Sequence, residues 1–555
     1  MRNPMLHVAD MNDGSISSMK RIQPTLALKL YAIRMLLVSI MLLSVGVLPP
    51  LAAASTCSGT HPNLTAASSS QADVQDCLTA AVDGDTINVP AGTSTWSAGG
   101  IFVNKSVTIA GAGSTLTKIS ASSSTCFSLD YTKNTRITGF QVTTCTIGGI
   151  NNASVTGTFR VDHNKFVGNA GQWGNNENDF IGSCQTPQVH PTGLVDHNDI
   201  SNYRFVVDST NCILTDGNYA TQQWAVQPPV GNSGTQNSNG IIEQVVYFED
   251  NTYHNTNANG DTRNWVDGNQ AGRYVVRFNT VDGHAFNFIE AHSEAGDNRA
   301  TQWWEVYQND ISAIACGSDQ GSPPCWFLGA YPRGGSGIYW GNVWPNTIFT
   351  QDLVINNLRS CSTEGGGQGK CGGTSTWDQN LSGQNGNACR DQIGRSYDTT
   401  LWTVPTGQYS QPLTPAYFFN NTHLSGTQLL VQVDSEGGDT GTCNGTDFTT
   451  ADIQWNRDAY QTNGASCSGS TCSSGVGSGT LAARPANCTT GVGYWATDQG
   501  SWNQSGNGKG NGVLYQCTST NTWTLYYTPY AYPHPLQNAS SSAPNPPKNL
   551  SAVVN

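Results

Sequence analysis

Apolar and polar residues alternate along a series of short segments that each close on an asparagine. They read FRVDHNKF (159–166), GLVDHNDI (193–200), VYFEDNTY (246–253), YVVRFNTV (274–281), WEVYQNDI (304–311), GIYWGNVW (337–344) and AYFFNNTH (416–423). The shared asparagines are Asn164, Asn198, Asn251, Asn279, Asn309, Asn342 and Asn421, and the steps from Asn251 to Asn342 are 28, 30 and 33 residues. A period of two with β-branched and aromatic residues predicts strands, and no segment carries a helical period. A 30-residue repeat predicts one strand per coil, stacked in parallel so that each coil buries the apolar side of the next. Asparagine at the strand end tolerates tight-turn angles and can bond its copy on the next coil as a ladder.

Upstream, DVQDCLTAAVDGDTINVPAGTSTWS (73–97) predicts an amphipathic helix, a strand and a turn, and SVTIAGAGSTLTKIS and TRITGFQVTTCTIGG continue as further coils. The first coil of such a stack needs a cover over its apolar end and strand edges, which the helix supplies. Before this region, Lys20, Arg21, Lys29 and Arg34 precede the apolar run Met35–Leu48 and the small residues near Ala54. That order predicts a secretory signal peptide over 1–54, because 14 apolar residues fall short of the roughly 20 a span needs. A secreted, extracellular or periplasmic location follows, with no transmembrane segment in the mature chain. All 16 cysteines lie between Cys57 and Cys517, which fits disulfides in an oxidising compartment. Cys316/Cys325 and Cys361/Cys371 have the spacing of loop staples, and Cys467 and Cys472 have no histidine near them.

Charge changes the range of partners. With 61 Gly, 11% charged residues and a net charge of −13, the chain suits strands and turns and excludes nucleic acid, whose phosphates need a basic surface. A polyanionic substrate would need a local arginine cluster or a bridging cation.

The helix–strand–turn opening and the asparagine-terminated repeats resemble right-handed parallel β-helix proteins of the pectin-lyase-like superfamily. The resemblance covers Cys57 to Pro535, with CRDQIG (389–394), TPAYFFNNT (414–422) and YTPYAYPHPL (527–536) similar to secreted bacterial members whose activity is generally unassigned. It implies an all-β solenoid over 57–536, with an N-terminal capping helix and long disulfide-stapled loops. Residues 537–555 read as a Ser/Pro/Asn-rich linker, and PPKNLSAVV resembles the first strand of a fibronectin type III domain.

The densest polar cluster runs from Glu249 to Glu305. Aligning coils on their asparagines makes Glu249, Arg277 and Tyr307 equivalent and predicts Glu249 and Arg277 on one face. The resemblance implies β-elimination on a uronate-containing polysaccharide. Arg277 or His292 is then the base, Glu249 and Glu305 serve as catalytic carboxylates, Arg273 and Arg299 bind substrate carboxylate, and Asp250 and Asp267 hold Ca²⁺. Trp304, Tyr339 and Trp340 would offer flat surfaces to sugar rings. Paired carboxylates drawn from Asp250, Asp267, Glu290 and Glu305 would instead suit glycoside hydrolysis. A non-catalytic glycan-binding or surface adhesin protein is the third reading, and under each reading the protein is expected to be a monomer. The bland alternatives are a surface ion pair for Arg277–Glu249, loop structure for His284, and structural roles for His163 and His197, which recur in VDHN. Arg390 and Asp391 fit either substrate positioning or loop anchoring.

Overall fold

The computed structural model describes residues 57–538 except 98, 150–154, 169–176, 184–189, 211–244, 257–263, 285–287, 293–299, 316–324, 347–348, 356–391, 395–412, 434–452 and 506–510. The expected leader (1–54), the stub beyond 538, Arg299, Arg390 and Asp391 lie outside them, as do Cys316, Cys361 and Cys371.

The described residues are mostly parallel β-sheet with almost no helix, an arrangement compatible with a parallel β-helix. One long sheet has 13 strands in chain order, beginning Cys57–Thr60 and Asn63–Ala66 and ending Ala416–Phe419 and Ala459–Gln461. Its first pair is antiparallel and every later pairing is parallel. Between passages through this sheet the chain makes further strands, such as Thr252–Asn255 and Val266–Gly268. These pair in parallel with their counterparts Thr280–His284 and Ile289–Ala291 in the next passage.

Register explains the core. Ile137, Val161, Val195, Phe248, Val276, Val306, Tyr339 and Phe418 are successive partners across the long sheet, and all are buried in one continuous apolar cluster. The asparagines run beside that column as a ladder. Nδ2 of Asn164, Asn198, Asn251, Asn279, Asn309 and Asn342 each donates to Oδ1 of the next, at 2.8–3.2 Å. The left-handed backbone, however, falls one residue earlier than the sequence suggested, at His163, His197, Asp250, Phe278, Gln308, Gly341 and Asn420. The preceding residue turns the chain, and asparagine satisfies the backbone groups that the turn exposes.

Helix Gln71–Ala80 starts at Ser70, whose hydroxyl accepts from the Asp73 amide, and it buries Val74, Cys77 and Leu78. Lys105 closes its end, with Nζ donating to the Leu78, Thr79 and Ala81 carbonyls. Cys57–Cys77 ties the first strand to this helix, and Cys126–Cys145, Cys467–Cys472 and Cys488–Cys517 complete four disulfides among the described residues. Disulfides suit an extracellular protein. No helix among the described residues is long and apolar enough to cross a membrane.

After the strand Ala459–Gln461 the chain leaves the stack. Val476–Gly479, Gly493–Ala496, Val513–Ser519 and Thr522–Tyr527 form a separate four-stranded sheet. Trp495, Trp502, Leu514 and Tyr527 pack against Tyr247, Val275, Tyr307, Trp340 and Phe419 on the outer face of the long sheet. This second apolar layer determines which faces can meet a ligand.

Candidate functional site

Glu249 and Arg277 are register partners and form an ion pair, with Nη2 to Oε2 at 2.5 Å. Neither side chain is exposed, so the surface-pair alternative does not describe them. Arg277 also donates to Tyr307 Oη and to the carbonyls of Tyr530 and Ala531. Burial works against its charge, but Glu249 and the oxygens of Tyr307 and Tyr247 hold the guanidinium protonated. Glu249 Oε1 accepts from the His534 amide and from Gln537 Nε2. Asp250 accepts from Tyr532 and Gln537. Glu305 accepts from the Trp303 indole and the Tyr527 hydroxyl. The segment 530–537 therefore lies over the row expected to form a groove.

The aromatic platform is also corrected. Trp304 and Tyr339 pair with Tyr274 and Val306 on the inward side and belong to the main core. Trp340 faces outward but lies beneath Trp495 and Trp502, with ring centroids 4.5 and 5.9 Å away. Strand alternation sent two of the three inward, and the C-terminal layer took the third. Arg273 is buried near His190, whose ring it disfavours from protonating after burial itself.

Polar groups gather on a different strand row. Val266–Gly268 and Ile289–Ala291 pair so that Asp267 and Glu290 are direct partners, and His292 follows two residues later. His292 Nε2 is 2.8 Å from Glu290 Oε1, and its Nδ1 is 3.4 Å from Asp267 Oδ2. Two arginines clamp the carboxylates: Arg204 pairs with Asp267, and Arg333 with Glu290. Asn264 Nδ2 donates to Glu290 Oε2 at 2.6 Å, and Asn269 Oδ1 accepts from His292 Nδ1. Asp267, Glu290 and His292 are buried and offer ligand atoms within 4.8 Å of one another. Nearby on the same strand row, Asp179 is pushed up to about 7, first by burial and then by Glu177 and Asp208.

The sequence had singled out Asp267, Glu290 and His292 without placing them together, and it missed Arg204 and Arg333. Alignment on the asparagine strand carries no register for the third strand of each passage, where Asp267 and Glu290 sit. Asp250 and Asp267 do not converge. Asp250 is held by Tyr532 and Gln537, whereas Asp267 is held by Arg204. A Ca²⁺ site, which takes six to eight oxygens, does not fit that pair.

No family model and no curated protein matches this chain. Among solved structures it is similar to ORF18 of Geobacillus virus E2, at 11% identity and a TM-score of 0.21, over 61% of this chain and 64% of that one.

Proposed function

We propose that this chain is a secreted right-handed parallel β-helix of the pectin-lyase-like kind, and that it cleaves a uronate-containing polysaccharide by β-elimination. The observation that carries the reading is the array Arg204–Asp267–His292–Glu290–Arg333. β-Elimination needs a group that takes the C5 proton and a cationic partner for the neighbouring carboxylate. Arg277 lies under the C-terminal layer, so the proton-transfer role falls to His292 with Glu290 as its partner. Arg204, whose side chain stays 20% exposed while it pairs with Asp267, would supply the cationic partner, and Arg333 holds Glu290 in place.

Glycoside hydrolysis is the second reading, favoured by the closeness of Asp267 and Glu290. Retaining enzymes hold their two carboxyl groups about 5–5.5 Å apart.

The test is incubation with uronate and neutral polysaccharides, following ultraviolet absorbance of an unsaturated product beside new reducing ends. Absorbance with one uronate polymer, lost in His292→Ala and retained in a folded Arg277→Met, supports elimination at this array. Reducing ends without absorbance, lost in Glu290→Gln, would assign hydrolysis. Glycan binding without either product would leave an adhesin.

A further inference from the structure

The geometry points to a binding site for one divalent first-row transition metal ion, of the Zn²⁺ class, formed by His292 Nε2, Glu290 and Asp267. Three observations converge on it. The three side chains are buried and present a nitrogen and two carboxylates within 4.8 Å of one another. Asp267 Oδ1 is buried and has no hydrogen-bond partner among the described residues. The third concerns the imidazole. Its Nδ1 faces Asn269 Oδ1, an oxygen that can only accept, so Nδ1 carries the hydrogen. Its Nε2 is thereby aimed at Glu290 Oε1, 2.8 Å away, so that nitrogen, that carboxylate and the Asp267 oxygen converge where one cation can share them.

The surroundings are those of a metal centre. An outer oxygen on Nδ1 fixes the ring and its tautomer, as the outer partners of metal-bound histidines do. Asn264 and Arg333 hold Glu290, and Arg204 holds Asp267. An imidazole with carboxylates suits Zn²⁺, Mn²⁺ or Fe²⁺, whereas Ca²⁺ takes an all-oxygen shell. Zn²⁺ bonds such nitrogens and oxygens at about 2.0–2.2 Å, so small side-chain rotations gather the three donors.

One consequence rests on the function proposed above. The ion and the transferred proton occupy the same lone pair of His292, so metal would regulate the enzyme by blocking proton transfer.

Equilibrium dialysis of the full secreted chain against Zn²⁺, with Co²⁺ as a spectroscopic stand-in, tests the site without any substrate. The expected result is one ion per chain and a Co²⁺ visible spectrum of mixed nitrogen and oxygen donors. His292→Ala should weaken binding by more than the roughly 10–100-fold that loss of an outer partner costs. Asp267→Asn, which keeps the side-chain shape, covers the case in which His292→Ala fails to fold. His163→Ala/His197→Ala, which removes the exposed histidine pair, should leave binding intact. Absence of stoichiometric Zn²⁺ in the wild type would overturn the proposal. So would binding that survives in folded Asp267→Asn and His292→Ala, or that is lost only in the His163/His197 variant. Zn²⁺ binding without cleavage of any uronate polymer would sink the lyase reading alone, and elimination by a protein that binds no Zn²⁺ would sink the metal site alone.

Discussion

The Arg277 guanidinium and the Glu249 carboxylate meet at 2.5 Å on neighbouring strands, both without exposure, with the Tyr530 and Ala531 carbonyls completing the arginine's partners. The pair fastens the C-terminal segment to the long sheet. Tyr532 adds a stack on Phe278 with centroids 3.7 Å apart. Removing one member of a buried pair leaves an uncompensated charge, which costs about 3–5 kcal/mol. Arg277→Met is therefore expected to destabilise by that amount in denaturant unfolding, and Arg277→Met/Glu249→Gln to recover part of the loss. A double variant no more stable than the single one would show that the arginine acts through its backbone partners instead.

The asparagine ladder should respond as a unit. Asn279 Nδ2 donates to Phe248, Arg277 and Asn309, while its Oδ1 accepts from the Asn251 amide and side chain. Each buried group left unsatisfied costs about 1–3 kcal/mol. Asn279→Ala is expected to lose about 3 kcal/mol in thermal or denaturant unfolding. Asn279→Asp keeps the acceptor but loses the donor, so its loss should be larger at pH 7 than at pH 4.

Acid sensitivity should trace to Asp162. Burial pushes its carboxyl up, but hydrogen bonds from Arg136 and His163 and the charges of Arg160 and Arg136 prevail and hold it at about 2. An unfolded aspartate titrates near 3.9. Because the folded value is the lower one, this contribution is present above about pH 4 and is lost as pH falls toward 2. Stability curves of wild type and Asp162→Asn should converge across that window, and a constant offset would refute the assignment.

Asp179 has the opposite sign. Its folded value of about 7 exceeds the unfolded one, so the folded state holds the proton more tightly and stability drops as pH rises. Asp179→Asn is expected to stabilise the protein increasingly from about pH 4 to about pH 7, with the gain level above that. Melting temperatures of the two proteins across this range measure it.

Much of the stack was legible because it rests on local and periodic rules. Alternation placed Val276 and Val306 inside and Glu249 and Arg277 outside. A repeated asparagine predicted its own ladder, since a side chain at a fixed point of each coil meets its copy one strand away. Helix Gln71–Ala80 announced itself through the amphipathic pattern that begins at Asp73, and only its serine cap came from the structure.

What the sequence could not contain is which outer face remains open. Arg277 and the carbonyls of Tyr530 and Ala531 are more than 250 positions apart, and no periodicity connects them. The alignment that put Arg277 beside Glu249 said nothing of the layer that covers both. Asp267, Glu290 and Arg333 likewise converge only through the third strand of each passage, where the intervening loops vary in length. The sequence by itself determined the repeat, its register on the asparagine strand and the inward column. Only the tertiary structure decided where the candidate site lies, because burial and charge pairing depend on the layer folded over each face.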